Sequence, residues 1–200
     1  MIHNVVFDMG GVLMDFHPLT ACRAVAPDEA SARRLDAALF KHPLWGRLDD
    51  DSLTPEELGR LAEAALAEPA LRPLIGKILD AMPYNMLSPL PGMAGVVSQT
   101  LDAGYRVYLL SNAGRKISEH REIIPHIGRF DGVVFSGDEG LVKPDPALYR
   151  RLTDRYGLTP EECLFIDDNE ANLAAAAALG WQTYRFAGDV DALQATLDTL

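Results

Sequence analysis

Short apolar runs alternate with longer helical stretches along most of the chain. The apolar runs have the length and the side chains of buried strands: Ile2–Phe7, Arg106–Leu110, Gly132–Phe135, Cys163–Ile166 and Thr183–Phe186. The helical stretches each end beside a glycine, which suits a helix C-terminus: Gly92–Ala103, Pro146–Tyr156 and Ala171–Leu179. Strands that alternate with helices predict an α/β fold of the Rossmann-like kind, a parallel sheet with helices on both faces.

Residues 16–86 interrupt this alternation. The segment has no convincing strand and is rich in helix-forming alanine and leucine. One helix is predicted to begin at Asp28, and another at Thr54–Glu57, where threonine, proline and glutamate occupy the N-cap, the first and the third helical positions. The same turn signal recurs at Thr159–Glu162. We therefore predict a catalytic core of residues 1–15 and 87–200, with residues 16–86 as an all-helical cap inserted after the first strand.

Composition narrows the class of protein and its partners. The chain of 200 residues is 48% hydrophobic, which is typical of a globular protein with one sizeable core or a core and a small insertion. No apolar run approaches the ~20 residues of a membrane span, and no signal peptide is recognisable. The net charge of −11 disfavours nucleic acid. We expect a cytoplasmic monomer or weak dimer, with no membrane and no nucleic acid as partner.

Polar residues follow three of the apolar runs directly. Asp8 ends the first run, Ser111 and Asn112 end the second, and Asp167-Asp168 ends the run that begins at Cys163. Ligands of open parallel sheets bind beyond the carboxyl ends of the strands, so these side chains are expected to converge. Lys143, in the turn Lys143-Pro144-Asp145, is a candidate to join them.

Phosphoryl transfer is the chemistry that this combination favours. A carboxylate such as Asp8 attacks phosphorus, while a cation and positive groups hold the phosphate oxygens. Gly10-Gly11 lets backbone amides approach a phosphate, and the Asp167-Asp168 pair suits a hard cation with oxygen ligands. The residues therefore predict a small phosphorylated substrate and Mg²⁺.

Four ordered segments resemble the motifs of the haloacid dehalogenase superfamily. They are Asp8–Leu13, Leu110–Asn112, Lys143–Pro146 and Phe165–Asn172. The helical insertion after the first motif resembles the superfamily's C1-capped subfamily IA. Within it, the chain looks similar to the group of α-glucose-1-phosphate phosphatase and the N-terminal phosphatase of epoxide hydrolases. The resemblance implies a magnesium-dependent phosphatase with a sugar phosphate as the favoured substrate.

The resemblance also implies a role for each motif residue. Asp8 would be the nucleophile and, with the backbone carbonyl of Gly10 and the carboxylate of Asp168, a magnesium ligand. Asp167 and Asn172 would support that metal site from behind.

Phosphate binding is implied for a second set of residues. Ser111, Asn112 and Lys143 would hold the phosphate, and Lys143 would also position Asp8 during catalysis. For Asn172 an ordinary place in the first turn of a helix competes with the functional role.

Gly10 departs from the superfamily pattern. The first motif usually has a second aspartate there, which protonates the leaving group and later activates water, and such assistance is worth about 10²–10⁴-fold. One interpretation is a phosphatase for esters with good leaving groups, such as a sugar 1-phosphate. Another is a metal-independent 2-haloacid dehalogenase, although Asp167-Asp168 beside Asp8 would repel without a cation. A third is a non-catalytic phospho-ligand-binding or regulatory protein. A signalling receiver domain also combines aspartates, a lysine and Mg²⁺. It is disfavoured because its acidic pair lies near the first strand and its phosphate-accepting aspartate comes later, the reverse of the order here.

The cap is expected to supply substrate contacts. The candidates are His17, Trp45 and Arg47, and for each of them a purely structural role is the competing interpretation. We expect the acidic run Asp49–Asp51 to form a solvated loop outside the site.

Overall fold

The computed structural model describes every residue from Met1 to Leu200. Its strands are β1 (Asn4–Phe7), β2 (Met14–Phe16), β3 (Leu87–Pro89), β4 (Arg106–Ser111), β5 (Gly132–Phe135), β6 (Cys163–Asp167) and β7 (Gln182–Arg185). Its α-helices are α1 (Pro18–Arg23), α2 (Glu29–Leu39), α3 (Pro55–Ala65), α4 (Arg72–Asp80), α5 (Met93–Asp102), α6 (Arg115–Ser118), α7 (Ser136–Glu139), α8 (Pro146–Tyr156), α9 (Glu170–Ala178) and α10 (Val190–Leu197). Short 3-10 turns cover Trp45–Leu48, Arg121–Ile123, Ile127–Arg129 and Pro160–Glu162. None of the helices has the length and hydropathy needed to cross a membrane.

The main sheet has five parallel strands in the order β5-β4-β1-β6-β7. This confirms the predicted α/β fold, and each of the five predicted strands lies within two residues of the observed bounds. β1 is the central strand, and its last residue Phe7 is in register with Leu109 of β4 and Ile166 of β6. The polar residues that follow these three strands are therefore neighbours at one edge of the sheet.

Apolar side chains of the strands supply a core on each face of the sheet. Val5 and Phe7 point to one face, where they share a buried cluster with residues of α5 and α10 such as Val97 and Leu193. Val6 points to the other face and belongs to a cluster with residues of α8 and α9. Since side chains alternate along a strand, the continuous apolar run of β1 is what a sheet covered on both faces requires.

A second, two-stranded sheet was not predicted from the sequence. β2 pairs antiparallel with β3, and Phe16 lies opposite Leu87. Both strands have three residues, too few to show an alternating pattern. This pairing brings together the two points where the chain enters and leaves the region of α1–α4.

The helices α1–α4, which we call the helical segment (residues 18–80), have a core of their own. Cys22, Leu35, Leu58 and Ile75 come one from each helix and belong to one buried cluster. Only helices and turns occur in this segment, in agreement with the predicted helical pattern. The division of the chain at residues 15/16 and 86/87 stays a prediction.

The two similar turn signals have different structures. Thr54 caps α3: its side chain accepts from the backbone N–H of Glu57, whose carboxylate accepts from the N–H of Thr54 at 2.9 Å. Thr159 precedes only a 3-10 turn and makes no capping hydrogen bond through its side chain. The same four residue types thus stabilise a helix start at one place and not at the other.

This difference predicts unequal costs of truncation. We expect Thr54→Ala to lower the free energy of unfolding by about 1 kcal/mol, since an orphan N–H loses its acceptor. Thr159→Ala, the matched control, is expected to change it by less than about 0.5 kcal/mol. Urea denaturation of both variants measures this, and equal losses would contradict the structure of the two turns.

Candidate active site

One buried ammonium group links the ends of three chain segments. Lys143 Nζ lies 2.8 Å from Asp8 Oδ1, at the end of β1, and 2.8 Å from Asp167 Oδ2, at the end of β6. The Lys143 side chain is 1% exposed. A buried charge is tolerated only when it is paired and hydrogen-bonded, and both conditions hold here. Lys143 therefore fixes the position of the Asp8 carboxylate.

Asp167 uses its hydrogen-bonding capacity within the protein. Its oxygens accept from Lys143 Nζ, from the Asn169 N–H at 2.8 Å and from Asn172 Nδ2 at 3.0 and 3.2 Å. Asn172 is buried in the first turn of α9, where its amide reaches back to the end of β6. Asp167 and Asn172 are thus both buried and bonded to each other, and Asp167 also binds the Lys143 ammonium.

Asp168 is exposed and completes a cluster of three carboxylates. Ligand oxygens of Asp8, Asp167 and Asp168 all lie within 4.8 Å of one another. Partial burial and the neighbouring Asp167 raise the pKa of Asp168. Neither Asp168 nor Oδ2 of Asp8 accepts a hydrogen bond within the protein. The cluster therefore offers free carboxylate oxygens that suit a hard divalent cation.

Burial also changes the acidity of Asp8. Desolvation raises its pKa from 3.8 to about 6, with a smaller rise from Asp167 and an opposing effect of Lys143. The backbone N–H of Met9 donates to Asp8 Oδ1 at 2.7 Å. The Lys143 ammonium offsets only part of the negative charge of the three carboxylates at this edge of the sheet.

The two glycines after Asp8 have different surroundings. Gly11 adopts a left-handed φ of 72°, and a Cβ there would lie 2.5 Å from Asp168 Oδ2. Gly10 has no atom within 4 Å of the corresponding position. The close approach of the first loop to Asp168 therefore depends on Gly11, whereas a side chain at Gly10 has open space.

Ser111 and Asn112 follow β4 and differ in what they offer a ligand. The hydroxyl of Ser111 is buried without a hydrogen-bond partner, so it is available to a ligand oxygen. Asn112 instead binds the backbone of Lys143: its Nδ2 donates to the carbonyl at 2.9 Å and its Oδ1 accepts from the N–H at 2.7 Å. Asn112 thus holds the turn that carries Lys143, and its phosphate contact stays a prediction.

The three residues predicted as cap contacts have different partners within the protein. His17 directly follows β2, and its Nε2 is 3.1 Å from Ser88 Oγ of β3. Arg47 is exposed and bonds to Ser52, through Nε at 3.1 Å to the hydroxyl and through Nη2 at 3.1 Å to the carbonyl. Trp45 lines a small cavity together with Met82, Gly114 and Ile117, among others. Trp45 therefore faces a cavity between the helical segment and the core.

The expectation of a solvated loop at Asp49–Asp51 is wrong. The hydroxyl of Ser136 donates to the carbonyl of Asp49, and Arg115 Nε lies 3.3 Å from Asp51 Oδ2. All three aspartates are partly buried. Asp49 and Ser136 are 87 positions apart, and the helical segment folds this turn onto the strand ends. No local sequence signal reports such a contact.

A family model described as haloacid dehalogenase-like hydrolase matches residues 2–180. The chain belongs to this hydrolase family. (S)-2-haloacid dehalogenase 4A from Burkholderia cepacia is 30% identical over 192 residues, which cover 90% of this chain and 80% of that one. D-ribitol-5-phosphate phosphatase from Bacteroides thetaiotaomicron is 27% identical over 198 residues, which cover 92% of each.

Two further similarities differ in coverage. Acyl-CoA dehydrogenase family member 10 from Mus musculus is 28% identical over 189 residues, and the chain spans only 17% of its length. The solved structure of a predicted hydrolase of the same family from Porphyromonas gingivalis has a TM-score of 0.72 and 25% identity, with 98% of each chain covered. The similarity to a haloacid dehalogenase-like hydrolase therefore extends over the core and the helical segment.

The two glycines of the first motif provide a matched pair of variants. We expect Gly11→Ala to lower the free energy of unfolding by about 1–3 kcal/mol, because alanine is strained at this φ and its methyl group meets Asp168. Gly10→Ala is expected to cost less than about 1 kcal/mol. Denaturation in the presence of a chelator measures both, and an equal effect at the two positions would contradict the loop geometry.

Burial of Asp8 predicts a pH-dependent stability. A carboxyl whose pKa is raised to about 6 on folding favours the folded state below its unfolded pKa and loses that contribution as pH rises through about 6. In metal-free protein, Asp8→Asn is therefore expected to raise the free energy of unfolding by about 1–3 kcal/mol near pH 8 and by much less near pH 4. Urea denaturation with a chelator at both pH values tests this. A variant less stable than the wild type at the higher pH would refute it.

Proposed function

We propose that the protein is a magnesium-dependent phosphatase that hydrolyses a small phosphorylated metabolite, with a sugar phosphate favoured, through an aspartyl-phosphate on Asp8. The observation that carries this proposal is the set of three carboxylates around one buried ammonium. Their ligand oxygens lie within 4.8 Å, and two of the carboxylates keep oxygens that no protein group occupies.

Charge balance supports a cation at this place. Lys143 neutralises one of the three carboxylates, so a divalent ion would bring the site close to neutrality before a phosphate enters. Asp8, the backbone carbonyl of Gly10 and Asp168 would hold Mg²⁺, and all of these donors are oxygens. When bound, the ion offsets negative charge on the phosphate oxygens.

The residues of the chain have distinct tasks in this proposal. A free oxygen of Asp8 attacks phosphorus, and Lys143 holds the carboxylate in line and faces the phosphate charge. The unpartnered hydroxyl of Ser111 donates to a phosphate oxygen. Asn112 and Asp167 keep Lys143 in place from the backbone side and the side-chain side.

The helical segment is proposed to act as a cap. Lys116 Nζ donates to the carbonyl of Leu79 at 2.6 Å, and Trp45 lines a cavity that also touches Gly114. These contacts support a cap over the strand ends, where it would limit access of water to the aspartyl-phosphate. Residues 16–86 are its proposed extent, and we propose a monomer or weak dimer in the cytoplasm.

A dehalogenase is the second candidate, because curated relatives include both (S)-2-haloacid dehalogenase 4A and D-ribitol-5-phosphate phosphatase. Gly10 is compatible with either chemistry, since a halide leaves without a proton. The Asp168 carboxylate favours the phosphatase, because it adds negative charge that only a cation at the site would offset. A binding protein without activity is the third candidate.

Release of phosphate and of chloride distinguishes these candidates. We expect phosphate release from a panel of sugar and aryl phosphates that needs Mg²⁺ and stops with a chelator. Asp8→Asn is expected to lower kcat by at least about 10³-fold, because the nucleophile is lost. Asp154→Asn, an exposed aspartate away from the site, is the control and should retain full activity.

Two results would contradict the proposal. Chloride release from 2-chloropropionate that is insensitive to a chelator would identify a dehalogenase. Binding of phosphate esters without turnover under any metal condition would identify a binding protein.

A further inference from the structure

The proposed phosphatase lacks an acid at Gly10, and the structure offers another carboxyl for that task. This inference rests on the proposed function and asks which group handles the protons of the reaction. An alkoxide leaving group departs slowly unless it is protonated, so a proton donor at the site is chemically valuable. The proton donor must therefore be a residue outside the first motif.

The turn that follows Trp45–Leu48 is docked against the loops of the active site. The Ser136 hydroxyl donates to the carbonyl of Asp49, and the same hydroxyl accepts from the N–H of Ala113 at 2.8 Å. The carbonyl of Leu48 lies so close to Gly114 that any side chain there would collide with it. Ala113 and Gly114 directly follow the proposed phosphate-binding residues. The backbone at Asp49 is therefore fixed beside the loop that holds the substrate.

Three consecutive aspartates occupy this turn, and their side chains differ in what they bind. Asp50 accepts from the backbone N–H of Ser52 at 3.0 Å, and Asp51 pairs with Arg115 at 3.3 Å. The carboxyl of Asp49 has no hydrogen-bond or ion-pair partner, although it is partly buried and lines the cavity beside Trp45. A partly buried carboxyl without a partner is costly, which is typical of a functional group.

The surroundings of Asp49 suit proton transfer near neutral pH. Burial raises its pKa to about 7, the charges of Asp50 and Asp8 add to the rise, and Lys143 opposes it. Arg115, the first residue of α6, is engaged by Asp51. A carboxyl in this range can donate a proton in one step and accept one in the next.

We propose that Asp49 is the general acid and base of the reaction. As Asp8 bonds to phosphorus, the bond from phosphorus to the leaving oxygen breaks, and that oxygen takes the proton of Asp49 to form the alcohol. In the second step a water oxygen bonds to phosphorus and its proton goes to the Asp49 carboxylate. The bond from phosphorus to Asp8 then breaks, which releases phosphate and restores both carboxyl groups.

Two substrates of similar size separate this role from a structural one. Benzyl phosphate has a basic leaving group that needs a proton, whereas p-nitrophenyl phosphate has an acidic one that does not. With the magnesium-loaded protein, Asp49→Asn is expected to lower kcat/KM for benzyl phosphate by about 100-fold and for p-nitrophenyl phosphate by less than about threefold. Because kcat/KM ends at departure of the leaving group, the later attack of water does not affect it.

Asp50→Asn is the matched control, since it removes a charge from the same turn without removing the proposed donor. It should change kcat/KM by less than about threefold for both esters. The alkaline limb of kcat/KM for benzyl phosphate should disappear in Asp49→Asn and persist in Asp50→Asn. Equal losses for the two esters, or equal losses in the two variants, would overturn the role of Asp49.

Gly10→Asp supplies a second, independent test. The open space at Gly10 accepts a side chain, so this change in the Asp49→Asn background is expected to restore turnover of benzyl phosphate by at least about tenfold. No recovery, with p-nitrophenyl phosphate still hydrolysed, would contradict the loss of an acid as the defect. A wild-type protein that hydrolyses neither ester would overturn the proposed phosphatase itself, and this inference with it.

Discussion

The ion pairs of the Lys143 ammonium hold the site together. Lys143 lies in the turn before α8, yet its Nζ contacts carboxylates at the ends of two neighbouring strands, β1 and β6. Asn112 fixes the backbone of this lysine from the end of a third strand. Removal of the Lys143 ammonium would leave the buried carboxylates of Asp8 and Asp167 without a positive partner, which costs far more than a surface ion pair contributes. The arrangement thus links the fold of the sheet directly to the geometry of the nucleophile.

The same interaction leaves the site short of positive charge. One ammonium faces three carboxylates, and burial already raises the pKa of Asp8 to about 6. This excess of negative charge is unfavourable by itself and is offset when a divalent cation binds. In this account the buried carboxylates reduce stability in return for affinity and reactivity, a compromise that is common at active sites.

Much of the fold could be predicted from the sequence, because its strands are apolar runs that end in polar residues. Asp8, Ser111 and Asp167 are predicted at one sheet edge on that basis, and β4 and β6 both lie beside β1. The sequence pattern does not predict the small sheet of β2 and β3, because strands of three residues carry no periodic signal.

Contacts between the helical segment and the core were beyond the reach of sequence patterns. The sequence predicts Asp49 in solvent, whereas the tertiary fold places its backbone against Ser136, directly after β5. The phosphate contact of Asn112 stays a prediction, and the bonds of its amide to the backbone of Lys143 carry no local sequence signal. The partners of such a side chain depend on tertiary contacts with residues that are distant in sequence.

Identification of the covalent intermediate tests the account most directly. The protein would be mixed with Mg²⁺ and a phosphate ester, quenched in acid within the turnover time, digested and mapped by mass spectrometry. We expect a phosphoryl group on the peptide that contains Asp8, and no such group when Mg²⁺ is withheld. A carbon ester on Asp8 after treatment with a 2-haloacid, or a phosphoryl group on another residue, would contradict it.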